Sequence, residues 1–204
     1  MTLQRIQQSA LVAGSGELWQ DGTQADFLSA IEAGMLPDES FHRWLVQDYA
    51  FAKGLAEFQA IAIAKTPRPA QKVLIAGLMA LDSELDWFEQ KAGQYKLDLH
   101  VPNHPTCRRY VDFLIASAYT QPFDVLLPIL FGVEAAYLGG WSSLTPSGPY
   151  AEYIERWSNP QFVQYVTDLM DICDSKPKDL QQHYFNEVMR HERDFWRMTM
   201  ASDN

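Results

Sequence analysis

Cysteine is scarce: Cys107 and Cys173 are the only two in 204 residues. That excludes the disulfide framework of a small secreted domain, and neither shows the CxxC or Cys/His spacing of a zinc site. The opening MTLQRIQQSALVAGSG places polar Gln and Ser before a short apolar patch, so the continuous apolar core of a signal peptide is missing. A reduced, cytoplasmic protein is the expectation. Cations are outnumbered as well, with 16 Lys and Arg against 26 Asp and Glu and a net charge of -10. Because nucleic-acid affinity rests largely on cations that release condensed counterions, no nucleic-acid partner is expected.

Long uninterrupted apolar runs are also missing. The nearest, FDVLLPILFGVEAAYLGGW, carries Asp124, Glu134, Pro128 and three glycines. These weigh against a membrane span of about 20 residues and for a buried central helix, so no membrane partner is expected. No G-x-S-x-G elbow and no phosphate-cradling glycine loop occurs. No linker rich in Gly, Pro or Ser divides the chain, no fixed repeat is visible, and no two-residue alternation bounded by hairpin turns marks a strand. One all-α domain over 1–204 is the reading.

What the sequence has in quantity is apolar material, 47% hydrophobic and 13% aromatic, enough for a large core. Phe41, Leu45, Tyr49, Leu55 and Phe58 recur near helical spacing and predict a long helix over 37–64. Pro67 and Pro69 punctuate it, and Val73, Leu74, Leu78, Leu81, Leu85 and Phe88 carry a second helix through Ala92. VPNHPT breaks the chain before CRRYVDFLIASAY, a helix that Thr106 or Asn103 would cap. Further helices are predicted over 123–141, in PYAEYIERW, in PQFVQYVTDLMDICD and over 178–198, with short ones over 3–12 and 25–33. A multi-helix bundle of this kind builds its sites from side chains on facing helices.

Several polar residues stand out against that background. Glu134 lies in a helix apolar on every side, so its carboxylate must be paired, hydrogen-bonded or protonated; a structural bridge to Tyr or Arg and a functional role weigh equally. Asp48 follows Trp44 by one turn among aromatics, and the residues alone favour a solvated or i+4-paired acid. Glu192 and Phe195 share a face of the last helix, where an ordinary surface acid beside core aromatics is the plain alternative. Tyr110 and Trp157 read first as core. Cys107, at a helix start, could have its thiol pKa lowered by the helix dipole, although such a residue is more often simply small and semi-buried. His183, Glu187 and His191 follow one another at i, i+4 and i+8. The outer two are two turns, roughly 12 Å, apart along the axis, so no metal site is expected.

In their order and spacing, Phe27, Ile31 and Gly34 before Phe41, then Gln47-Asp48, Pro105-Thr106 leading to Tyr110, Leu126-Leu127-Pro128, and Glu192 with Phe195 and Trp196 resemble the TenA-like family. Its thiaminase II members hydrolyse thiamin or its aminopyrimidine breakdown products. The resemblance implies a haem-oxygenase-like helical bundle with a central buried pyrimidine pocket and no cofactor. It implies that Asp48 bonds the amino edge of the ring, Glu192 handles the ring-nitrogen proton, Tyr110 lines the pocket and Phe195 packs on the ring. It also implies a homodimer or homotetramer.

Where thiaminase II enzymes carry their cysteine nucleophile, this chain has Ile129, an alkyl group that cannot attack. Phe51, Val133 and Trp157 stand where those enzymes have tyrosines. The sequence is therefore more similar to the cysteine-free TenA-E subgroup, associated with salvage of aminomethyl or formylaminomethyl pyrimidines. Glu134, one turn beyond Ile129 and read as sharing part of its face, is expected to replace the thiol as general base for a water. The rival expectations are a non-catalytic pyrimidine-binding protein, and an oxidase of the same fold resembling either PqqC or the dimetal oxygenases.

Overall fold

The computed structural model describes residues 2–173 and 175–201. Eleven α-helices appear among them, and no strand. They are α1 (Thr2–Gln7), α2 (Ala10–Ser15), α3 (Glu17–Thr23), α4 (Asp26–Glu32), α5 (Asp38–Lys65), α6 (Arg68–Tyr95), α7 (Pro105–Thr120), α8 (Phe123–Trp141), α9 (Ala151–Ser158), α10 (Pro160–Ile172) and α11 (Asp179–Met200), with a 3-10 turn at Gly148–Tyr150 before α9. The chain divides into two compact units, one over Pro37–Leu126 and one formed by the residues up to Leu36 together with those from Leu127, the boundary falling inside α8.

In the unit over Pro37–Leu126, α5 packs on both α6 and α7. The close approach to α7 depends on Gly54, where a Cβ would lie 2.6 Å from Val111 Cγ1. Toward α6, Phe41 meets Trp44 at 5.3 Å between ring centroids, and Trp44 meets Phe88 at 6.3 Å, offset geometries that aromatic quadrupoles favour. At the end of α5, Lys65 Nζ donates to the carbonyls of Ala118 (2.6 Å), Tyr119 (3.2 Å) and Gln121 (2.9 Å). A cation thus satisfies orphan acceptors at the negative end of α7.

In the other unit, α11 packs on α2, α3 and α4. Trp196 Nε1 donates to the Gly22 carbonyl at 3.1 Å, and its ring lies 5.4 Å from that of Phe27. A Cβ at Gly140 would lie 2.9 Å from Leu28 Cδ1, so the end of α8 comes close to the Leu28 side chain of α4.

Two local expectations are corrected, and one helix is additional. The predicted helix over 3–12 is two helices, because Ser9 leaves helical geometry and its Oγ accepts from Val12 N–H (3.5 Å) to start α2. The cap of α7 is neither Thr106 nor Asn103 but His104, whose Nδ1 accepts from Thr106 N–H at 3.1 Å, with Pro105 in the first turn. Helix α3 had no counterpart in the sequence reading.

Helix α8 is long and apolar enough to cross a membrane, but 72% of its apolar window is buried within the protein, as in a core helix. It is not apolar all round. Glu134 and Tyr137, three residues apart and so on one face, are only half-buried, while Ile129, Leu130, Phe131, Ala135 and Ala136 are fully enclosed.

Candidate functional site

Asp48 sits in mid-α5 with 4% of its surface exposed, which rules out the solvated one of the two alternatives the residues alone favour. The neighbouring Gln47 ties the start of α7 to α5 twice: its Oε1 accepts from His104 N–H (2.7 Å) and its backbone carbonyl accepts from the Cys107 thiol (3.4 Å). One turn further along each helix, the rings of Phe51 and Tyr110 lie 4.6 Å apart, inclined at 35°. Asp48 and Phe51 on α5, and Cys107 and Tyr110 on α7, are each spaced i, i+3, so the two helices bring an acid, a thiol and two rings together.

The thiol is not activated. Burial pushes the Cys107 pKa up to about 12, and the negative field of Asp48 adds to the shift. Desolvation therefore overrides any lowering by the helix dipole, and the sulfur stays a neutral donor. The unfolded chain releases this proton near its ordinary value of 9.0, whereas the folded chain holds it to about 12. Above the first of these values the folded state binds more protons than the unfolded one, so stability that is fully present below it is lost as pH climbs toward the second. Urea midpoints measured at about pH 8 and about pH 10.5 are expected to fall less in Cys107→Ala than in the parent. Equal falls would contradict the assignment.

The unit containing α11 gathers a second set. Glu192 and Phe195 are both 3% exposed, and Trp157 is 2% exposed. The backbone of α3 covers Glu192: a Cβ at Gly22 would lie 3.5 Å from Glu192 Cβ and 3.2 Å from the Met189 carbonyl. Tyr137 joins the rings of this unit. It stacks on Trp196 at 5.8 Å and 13°, and stands edge-on to Trp157 at 5.3 Å and 88°. Trp141 completes the cluster at 5.1 Å from Trp157. Tyr137 was missed in the sequence, and its signal was its place one turn after Glu134.

Glu134 does not share a face with Ile129, contrary to expectation. Five residues of helix rotate a side chain by about 140° relative to its predecessor. Ile129 is fully buried and Glu134 half-buried, as that rotation requires. What Glu134 does share is the Tyr137 face. Among the described residues, no group of three or more His, Cys, Asp and Glu side chains is assembled to hold a metal, and Glu187 accepts a 2.6 Å bond from Arg190.

The sequence profile of the TENA/THI-4/PQQC family matches residues 16–203. A protein of Glycine max described as a probable bifunctional TENA-E protein is 24% identical over 205 residues, covering 91% of this chain and 89% of that protein. A solved TenA homologue from Pyrococcus furiosus superposes with a TM-score of 0.87 at 26% identity, over 98% of this chain and 100% of that one. A Sulfolobus solfataricus protein described as a candidate tena-like thiaminase shares the fold, with a TM-score of 0.83 at 17% identity over 93% of each chain. The architecture is thus all-α and haem-oxygenase-like.

Proposed function

The chain belongs to the TENA/THI-4/PQQC family, and from that membership we propose that it serves thiamin-pyrimidine salvage by hydrolysing the C–N bond of an aminomethyl or formylaminomethyl pyrimidine without a cysteine nucleophile. The observation that supports this most is the burial of Asp48 and Glu192, at 4% and 3% exposure, each in a helix that also carries aromatic side chains. Inside a protein, where the local dielectric is low, a carboxylate makes stronger hydrogen bonds than it does in water, and an aminopyrimidine offers it an amidine-like edge of donors and a protonatable ring nitrogen.

In this reading Asp48 accepts from the exocyclic amine and orients the ring. The aromatic side chains assigned to the ring are Phe51 and Tyr110, in the unit of Asp48, and Trp157 and Phe195, in the unit of Glu192, since a flat ring rewards aromatic packing. Glu192 holds or gives the ring-nitrogen proton. Glu134, half-buried on the Tyr137 face, takes a proton from the attacking water. Water then replaces the amine on the methylene carbon to leave a hydroxymethyl arm and ammonia. On the formylamino substrate it cleaves the amide to leave the aminomethyl arm and formate. The neutral Cys107 thiol takes no part.

Purified protein incubated with 4-amino-5-aminomethyl-2-methylpyrimidine, and separately with its formylamino counterpart, is expected to release ammonia or formate. Alkylation with iodoacetamide is expected to leave the rate unchanged, because a thiol with its pKa near 12 supplies almost no thiolate at neutral pH. Loss of activity on alkylation would restore a thiol mechanism. Tight binding of the pyrimidine by calorimetry with no product would make the protein a binder, the reading that a buried Ile129 in the nucleophile's place favours.

A further inference from the structure

We propose that a cavity beside the end of α11 is a binding site for a small zwitterion, an α-amino acid with an apolar side chain. The cavity measures about 280 Å³ and is lined by the last turns of α11 and by the residues where α3 passes into α4, all within one compact unit. Small-molecule sites run from roughly 300 to 1,000 Å³, so a volume at the bottom of that range suits a molecule of amino-acid size rather than a nucleotide.

Charge decides the ligand. Asp21, Asp26, Arg193 and Arg197 line the cavity, two residues of each sign. Two of the four are already engaged: Arg193 bonds Asp194 at 2.9 Å and faces Asp21 at 3.9 Å. The other two are not. Asp26, in the first turn of α4, and Arg197, in the last turn of α11, have no hydrogen-bond or ion-pair partner among the described residues. Elsewhere in this unit opposite charges within reach close up, Arg5 on Asp171 at 2.8 Å and Arg190 on Glu187 at 2.6 Å. Asp26 and Arg197 share a cavity yet stand too far apart to do so, and a molecule that bridges them satisfies both. A simple anion on Arg197 is repelled by the two carboxylates, and a simple cation on Asp26 by the two guanidiniums. A zwitterion gains both attractions. Its carboxylate meets the planar fork of Arg197, and its ammonium donates to Asp26. Ala25, Trp196 and Met200 complete the lining, so the side chain that fits beside them is apolar.

L-Leucine is the probe. Asp26 and Arg197 are both exposed, where solvent keeps ion pairs modest, so a Kd of about 0.1–1 mM is expected in calorimetry at low salt. Leucine at about ten times its Kd is expected to raise the thermal midpoint by roughly 3–6 °C. N-acetyl-L-leucine lacks the ammonium, L-leucinamide lacks the carboxylate, and inorganic phosphate is an anion alone; each is expected to bind about tenfold more weakly or worse. Phosphate or N-acetyl-L-leucine binding as tightly as leucine would make this an anion site and overturn the proposal. Leucine giving neither heat nor a rise in midpoint at tens of millimolar would overturn it as well.

Arg197→Gln and Asp26→Asn, neither of them assigned to the hydrolysis, are each expected to weaken leucine by about tenfold or more. Without ligand both variants should melt within about 2 °C of the parent, as exposed substitutions do. Leucine binding that survives both changes would sink the assignment. The place of binding is also read with no substitution at either charge. In isotopically labelled parent protein the Trp196 indole N–H, held on the Gly22 carbonyl, is expected to move on titration with leucine and to return the calorimetric Kd. Leucine that binds while this resonance stays fixed would place the site elsewhere and refute the proposal.

Discussion

Glu192→Gln is expected to cut turnover of the pyrimidine substrate by about two to four orders of magnitude, the range that a positioned proton-transfer group supplies. The substitution keeps the shape of the side chain and removes only its ability to exchange a proton. Glu192 is 3% exposed, with the backbone of α3 against its stem at Gly22, so no solvent-borne acid reaches the position to substitute for it. The fold should survive. The amide still offers one acceptor and gains donors, and the ring cluster around Trp196 is untouched, so the thermal midpoint should stay close to that of the parent. The expected signature is therefore a collapse of kcat in a protein that melts normally. Asp48→Asn should differ, because Asp48 is assigned to orientation: its effect is expected mainly in KM. Ammonia and formate release over a range of substrate concentrations, measured beside melting curves, separates the two roles. Normal turnover by Glu192→Gln would remove the residue from the chemistry.

Much of the fold was legible in the sequence, and particular residues explain what was not. Helices α5, α6 and α8 are long, carry an apolar rhythm or content that only a helix buries well, and are punctuated by Pro67, Pro69 and Pro122. Helix α3, with the sequence ELWQDGT, is short and contains Gly22, so its local propensity is poor; its packing on α11 holds it, a contact no local window contains. The cap of α7 was misassigned because an imidazole acceptor stands outside the usual Ser, Thr, Asp and Asn preference. The burial of Asp48 is not legible because a lone acid among helix aromatics has the same periodicity buried or exposed. Cys107 shows the converse: its place near a helix start was visible, but the desolvation and the facing Asp48 that set its pKa are tertiary. Glu134 reads as a carboxylate on a helix apolar on every side, because the half-buried stripe it forms with Tyr137 is invisible in a segment whose other residues are nearly all apolar.

Trp196→Ala is expected to be the more damaging change to stability, by about 3–5 kcal/mol, the usual cost of truncating a buried large aromatic. Trp196 is 1% exposed, touches Phe27, Tyr137 and Trp141, and bonds the Gly22 carbonyl through Nε1. Its loss leaves a cavity and an acceptor that the truncated side chain no longer satisfies, a combination that helices as short as α3 and α4 cannot refill. For a chain of this length each kcal/mol moves the midpoint by about 2–4 °C, so a drop of roughly 10 °C is the expected reading. Trp196→Phe separates the two contributions: it retains most of the ring contacts, lacks the Nε1 donor, and should lose about 1 kcal/mol. The activities should follow the same order. Glu192 precedes Trp196 by four residues on the same face of α11, and the helix segment that Trp196 anchors to Gly22 is the one that α3 holds over Glu192. Loosening that anchor is expected to lower kcat even below the melting transition, with Glu192 itself unaltered. A Trp196→Ala protein that melts ten degrees lower but turns over at the parental rate at low temperature would show that the acid needs no support from the ring cluster.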